Sequence, residues 1–170
     1  MPAPATKPVY LVDAYADPVV VRIDGRACFQ NSPCLRDFFA EMLRQGKTRF
    51  VVDFQHCGSM DSTFLGVLAG LALDLRKKTA GGSLVLARVG ARNLELIRNL
   101  GLHRLLTVAA AESTPNVDHC QDVLECKNHS ELENARMVLE AHENLVSVDE
   151  ANRSKFQDEL AFLRNRVDRK

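Results

Sequence analysis

The chain has 170 residues, of which 46% are hydrophobic and 26% are charged, as expected for one globular domain with an extension. Its 22 basic and 22 acidic side chains cancel, which argues against a nucleic-acid partner or an anionic membrane surface, since such binders carry a basic excess. The longest apolar run, residues 64–73, is about half of a membrane span, and the first ten residues lack a secretion signal. We therefore expect a cytoplasmic protein without membrane insertion.

Strands and helices alternate over the first 110 residues. Prolines make residues 1–8 a flexible arm, and Ser32-Pro33 predicts a helix start with Ser32 as N-cap. Strands are predicted at 9–14, 19–23, 50–54, 83–87 and 105–108, helices at 32–46, 61–78 and 91–100, and a loop at 55–60. This order predicts an α/β domain over residues 9–110, with a mixed, mostly parallel sheet packed by helices.

The rest of the chain differs in pattern and charge. Residues 111–129 have no clear period and are interpreted as a linker, whereas residues 130–170 form a helical tail that opens with the capping box Ser130-Glu131-Leu132-Glu133. Apolar residues recur at 3-4 spacing from Leu132, with polar interruptions near the middle and a second capping box at Ser147. Two interpretations stay open: one long helix with a weak coiled-coil seam, or a helical hairpin broken near Ser147.

The charge is divided between these two parts. Residues 1–110 carry 14 basic and nine acidic side chains, a net charge of +5. Residues 111–170 carry eight basic and 13 acidic side chains, a net charge of −5. The split motivates the hypothesis that the acidic tail folds back onto the basic domain.

The most informative segment is residues 59–67, where a strand and a loop lead into a helix. Asp61 can cap the exposed backbone N–H groups of that helix, which places Ser62 in its first turn. An anion is stabilised there by the helix dipole, and a phosphate on Ser62 would add about −1.5 to −2 charges to the surface. The pattern also fits a helix cap with no further role.

This segment resembles the signature of STAS domains, the anti-sigma factor antagonists of bacteria, in which D-S-[ST]-G-L-G opens a helix. Further similarity lies at Gly25 with Leu35-Arg36, at residues 81–84 and at residues 97–102, in the same order as in the family. The resemblance covers residues 9–110 and implies the STAS fold. It also implies that Ser62 is the phosphoacceptor of a partner kinase, with Thr63 as the second choice and Asp61 as the helix cap.

Two positions depart from the family pattern. Phe64 stands where the family usually has Gly, and Cys28 stands where it often has Asp. Phe64 and Val67, near the start of the helix, could form an exposed apolar patch, and we expect them to contact a partner together with Ser59 and Met60.

Enzyme and metal chemistry have weak support in the sequence. His119-Cys120, Cys126 and His129 do not have the spacing of a zinc site, and His56-Cys57 are adjacent in the chain, unlike a catalytic pair. Phosphate-binding glycine loops are absent. Five cysteines at irregular spacing predict a reduced protein rather than a disulfide scaffold, so we expect no enzyme, no cofactor and no metal.

By this resemblance the protein is a partner-switching regulator. The unphosphorylated form would bind an anti-sigma factor or a serine/threonine kinase of the anti-sigma type, phosphorylation of Ser62 would release that partner, and a phosphatase would reset the switch. The alternative is a STAS scaffold subunit of a larger assembly, without phosphorylation, that uses residues 130–170 for self-association or recruitment.

Overall fold

The computed structural model describes residues 9–78, 81–110, 114–126 and 128–168, so the predicted arm at 1–8 lies outside the described residues. The strands are β1 (Tyr10–Asp13), β2 (Val19–Ala27), β3 (Arg49–Met60), β4 (Ser83–Ala87), β5 (Thr107–Val108) and β6 (Asp122–Val123). The helices are α1 (Ser32–Arg44), α2 (Ser62–Lys78), α3 (Ala91–Asn99), α4 (Glu131–Val148), α5 (Asn152–Lys155) and α6 (Gln157–Asp168), and a short 3-10 turn spans Leu102–Arg104.

The described strands form one mixed sheet in the order β5-β4-β3-β2-β1-β6. The four strands from β2 to β5 are parallel, whereas β1 pairs antiparallel with both β2 and β6. The predicted α/β class and the mostly parallel sheet are confirmed. A parallel sheet is covered on both faces, which explains why Val19, Val20 and Val21 are all buried without alternation.

The end of β3 differs from the prediction. The segment 55–60, predicted to be a loop, continues the strand, because β2 also runs on to Ala27 and pairs with β3 through two irregularities in register. This extension carries β3 directly to the start of α2.

The start of α1 corrects a second prediction. Ser32 is not the N-cap: the cap position is Asn31, and the buried hydroxyl of Ser32 donates a hydrogen bond to the Cys28 carbonyl at 2.7 Å. The Asn31 side chain accepts hydrogen bonds from the Cys28 N–H at 3.0 Å and from the Tyr10 hydroxyl at 2.7 Å. It therefore fixes the β2–α1 loop to β1 rather than capping the helix.

The tail is a helical hairpin and not one continuous helix. The α4 helix begins at the predicted cap, where the Ser130 hydroxyl accepts the Glu133 N–H at 3.1 Å, and it ends at Val148. The second predicted capping box does not form: Asp149 closes α4, and its side chain accepts the Ala151 N–H at 3.0 Å. The α5 turn then reverses the chain, so that α6 packs along α4.

The tail folds back onto the domain, as the charge split suggests. The guanidinium of Arg36 on α1 forms a bidentate salt bridge with the carboxylate of Glu140 on α4. Nη2 of Arg104 lies 3.4 Å from Oδ2 of Asp149. Most of the contact is apolar, since Met137 and Leu145 of α4 belong to the same buried core as the sheet. Among the described helices, none is long and apolar enough to cross a lipid bilayer.

The segment before the tail contradicts the prediction for the cysteines. Cys126 forms a disulfide with Cys34 of α1, and the two Cα atoms are 4.9 Å apart. Irregular spacing does not reveal this pair, because it is made by the fold: β6 adds to the edge of β1 and brings the following residues beside α1. Cys28, Cys57 and Cys120 are free thiols.

Candidate functional site

The site lies where β3 ends and α2 begins. Asp61 caps the helix, since its Oδ1 accepts the Phe64 N–H at 2.9 Å. Its second oxygen, Oδ2, accepts the Phe29 N–H at 2.8 Å. One carboxylate therefore holds the start of α2 and the β2–α1 loop in a fixed relation.

Ser62 is the first residue of α2 and is half-buried. Its Oγ lies 2.9 Å from Nε2 of His142, which is a residue of α4. The position at the N-terminus of a 17-residue helix would stabilise a negative charge on this side chain. The domain thus supplies the serine and its helix, and the tail supplies the group that contacts it.

His142 is held from several sides and is only 1% exposed. Its Nδ1 lies 2.8 Å from the Val138 carbonyl oxygen, which can only accept, so Nδ1 carries a proton. Its Nε2 also lies 3.1 Å from a carboxylate oxygen of Glu159 on α6, and the Phe156 ring packs edge-on against the imidazole. Ser62 and Glu159 therefore share one nitrogen of a buried ring.

The expected apolar patch is not at the surface. Phe64 is fully buried between Tyr10 and Phe54, with ring centroids 6.5 and 6.1 Å away, so it fills the core under α2. Val67 is buried as well and lines the groove between α1, α2 and α4. The expectation that these two side chains form an exposed patch is wrong, because one faces the sheet and the tail lies over the other.

The other predicted site residues differ in how far they are exposed to solvent. Thr63 is only 4% exposed, so the structure does not present it as a second acceptor. Ser59 is exposed and Met60 half-buried at the end of β3, where both line a cleft of about 390 Å³ against α3. Phe29, which sequence analysis does not single out, is 49% exposed and is joined through its backbone to Asp61.

A serine beside a histidine raises the question of nucleophilic catalysis. The Ser62–His142 distance and the Val138 carbonyl that orients the ring match the arrangement of an activated hydroxyl. The cleft next to Ser59 and the groove next to Val67 are lined by other residues than Ser62. What the pair shows directly is a polar contact between the tail and the domain.

The other candidates for chemistry are dispersed in the structure. Cys126 is bound to Cys34, and Cys120 is buried against β2, where burial raises the pKa of its thiol to about 11. Burial also raises the pKa of Cys57, which opposes formation of a thiolate there. Within the described ranges, no three His, Cys, Asp or Glu side chains gather as a possible metal site.

Sequence reasoning missed His142 and Glu159 as parts of this site. The available signal was the polar interruption of the tail seam at position 142, because a histidine in an apolar stripe needs polar partners when it is buried. The sequence could not name those partners, since they depend on where the hairpin lies.

Comparison with known proteins agrees with this architecture. The family model described as "Mlab, STAS domain" matches residues 11–107, more than half of the chain. The structure of the anti-sigma factor antagonist SpoIIAA in its unphosphorylated form is 18% identical and aligns with a TM-score of 0.50, over 60% of this chain and 88% of that one. The phosphorylated form of the Bacillus cell fate determinant SpoIIAA is 20% identical, with a TM-score of 0.50 over 61% and 93%. No curated protein matches the chain.

Proposed function

Since this chain belongs to the STAS domain family, we propose that it is a regulatory protein-binding module of the anti-sigma factor antagonist type, switched by phosphorylation of Ser62. The observation that carries the proposal is the placement of Ser62 as the first residue of α2, beside the Asp61 cap, in a domain with the fold of SpoIIAA. Its partner is an anti-sigma factor or a serine/threonine kinase of that type, and a phosphatase removes the phosphate.

The chemistry of the switch follows from charge at a helix start. The dipole of α2 stabilises a phosphate on Ser62, so the domain tolerates its own modification. The same phosphate adds about −1.5 to −2 charges to a docking surface, where it opposes binding by repulsion and desolvation. Each tenfold loss of affinity corresponds to about 1.4 kcal/mol, so a modest repulsion releases the partner.

Three baits, each carrying all 170 residues, test this proposal in lysate of the source organism: the wild type, Ser62→Ala and Ser62→Asp. The alanine variant is the matched control, because both substitutions remove the hydroxyl that contacts His142 and only one adds charge. We expect wild type and Ser62→Ala to recover the same nucleotide-binding kinase or anti-sigma factor, and Ser62→Asp to lose it. Mass spectrometry of wild type incubated with lysate and ATP should find the phosphate on Ser62.

A second candidate is the scaffold subunit without phosphorylation. It is favoured by one specific observation, the contact of Ser62 with His142, a buried histidine of the tail. In that function residues 130–170 would recruit or self-associate through their outer face, where Phe162 is exposed. Recovery of the same proteins by all three baits, without phosphate on Ser62, would refute the switch and support the scaffold.

A further inference from the structure

The α4–α6 hairpin lies on the face of α2 that begins at Ser62. The contact between Ser62 Oγ and His142 Nε2 closes one end of this face, and His142 is itself buried beneath α6 through Glu159. Any protein that docks on the start of α2 would have to occupy the space that these tail residues fill.

The two helices meet backbone to backbone. A Cβ atom added at Gly66 would lie 2.2 Å from the carbonyl oxygen of Ala141, far inside van der Waals contact. One turn further, a Cβ atom at Gly70 would lie 2.6 Å from the Asn144 amide nitrogen, and that amide donates a hydrogen bond to the Gly66 carbonyl at 3.2 Å. While α4 is in place, no side chain of another protein can enter between α2 and α4 at this crossing.

Charge pairs hold the rim of the same contact. Glu140 of α4 binds Arg36 of α1, and Asp149 at the end of α4 lies beside Arg104. The acidic tail therefore presents to the basic domain a helix with a small residue at the crossing and carboxylates at its edges.

We propose that the α4–α6 hairpin is a cis-acting cover of the α2 face, which excludes a partner from Ser62 until the hairpin leaves. The hairpin also defines the chemistry of the surface it covers. A partner that replaces it presents a helix with a small side chain opposite Gly66 and acidic side chains opposite Arg36 and Arg104. The expected chemistry of the partner rests on the proposed function, whereas the cover itself can be tested on the isolated 170-residue chain.

The test enlarges a side chain of α4 at the crossing and leaves the sequence of α2 unchanged. Ala141→Leu drives a larger side chain into Gly66, and Ala161→Leu makes the same chemical change at an exposed position of α6. Hydrogen exchange followed by mass spectrometry reports the amides of residues 62–72. We expect at least tenfold faster exchange there in Ala141→Leu than in wild type or Ala161→Leu, with the protection of β2 and β3 retained.

A second pair of variants, with a milder change, covers the case in which Ala141→Leu fails to fold. Asn144→Ala removes the hydrogen bond to the Gly66 carbonyl without adding volume, and Asn165→Ala is its control on the exposed side of α6. We expect a smaller increase of exchange in the same α2 amides for Asn144→Ala and none for Asn165→Ala. Unchanged exchange of α2 in both Ala141→Leu and Asn144→Ala overturns the cover.

Capture from lysate then tests the competition. We expect Ala141→Leu to recover at least tenfold more of the protein that Ser62→Asp loses than Ala161→Leu recovers. Equal recovery despite faster exchange overturns the proposal, because the partner would then bind without displacing the hairpin. If exchange increases but no bait recovers a protein that Ser62→Asp loses, the cover of α2 is supported and the proposed switch fails.

Discussion

One buried amide helps to join the tail to the domain, and its removal gives a quantitative prediction. Asn152 is fully buried at the turn between α4 and α6. Its Nδ2 donates to the Leu100 carbonyl at 2.9 Å and to the Leu145 carbonyl at 2.8 Å. Asn152 therefore joins the end of α3, in the domain, to the end of α4, in the tail.

The expected loss in Asn152→Ala follows from these two bonds. The Leu145 carbonyl keeps a partner, because it also accepts the Asp149 N–H at 3.1 Å, so losing the bond to Asn152 costs about 1 kcal/mol. The Leu100 carbonyl is left unpaired in a buried place, which costs about 1–3 kcal/mol. We expect Asn152→Ala to lower the free energy of unfolding by about 2–4 kcal/mol, a large share of the stability of a domain this size.

Urea unfolding followed by circular dichroism measures this change. Asn165→Ala, an exposed amide on α6, is the control and should stay within about 0.5 kcal/mol of wild type. Asn152→Asp should lose more than Asn152→Ala, because an ionised carboxylate would face two carbonyl oxygens with no proton to donate. If Asn152→Ala is as stable as the control, the hairpin is not docked through Asn152 and the reasoning is wrong.

Two further predictions concern the start of α2 and the disulfide. Asp61→Ala should lower the free energy of unfolding by about 1–2 kcal/mol through loss of the cap. Asp61→Asn should lower it by less, because its amide oxygen still accepts the Phe64 N–H although its NH2 group cannot accept the Phe29 N–H. Equal losses in urea unfolding would contradict the cap. A non-reducing digest should recover the peptide of Cys34 linked to that of Cys126, and reduction should cost up to about 4 kcal/mol because the bond joins residues 92 apart. Labelling of all five cysteines in the unfolded, unreduced chain would show that the bond does not form.

Much of the domain was predictable because its signals are local. Hydrophobic runs bounded by turn residues located β1 to β5, and a serine cap followed by a periodic run located α4 at its observed start. The sixth strand, β6, lies within residues 111–129, which are predicted to be a linker. The errors lie where a contact distant in the chain decides the outcome. The Ser32 hydroxyl bonds back to Cys28, and the strand after Phe54 continues because β2 does.

The site shows the same division between local and distant causes. The Asp61 cap is local and could be expected from three consecutive residues. His142 is 80 residues away from Ser62, and the disulfide joins residues 92 apart, so neither pairing has a signal in the spacing of the chain. Only the opposite net charges of the two parts indicated that tail and domain belong together.

The breadth of the apolar face of α2 now has a structural cause. A helix that packs only on a sheet needs one apolar stripe, but α2 buries ten residues, from Thr63 to Leu75. The sequence predicts a partner-binding patch at Phe64 and Val67. In the structure the apolar surface of α2 is instead divided between the sheet, against which Phe64 packs, and the tail, which packs on the side of Gly66 and Gly70. The residue that replaces the family glycine is thus a core residue, and the close approach of α4 depends instead on Gly66 and Gly70. A substitution at Phe64 should therefore be judged by stability, whereas changes at Gly66 or Ala141 bear on access to Ser62.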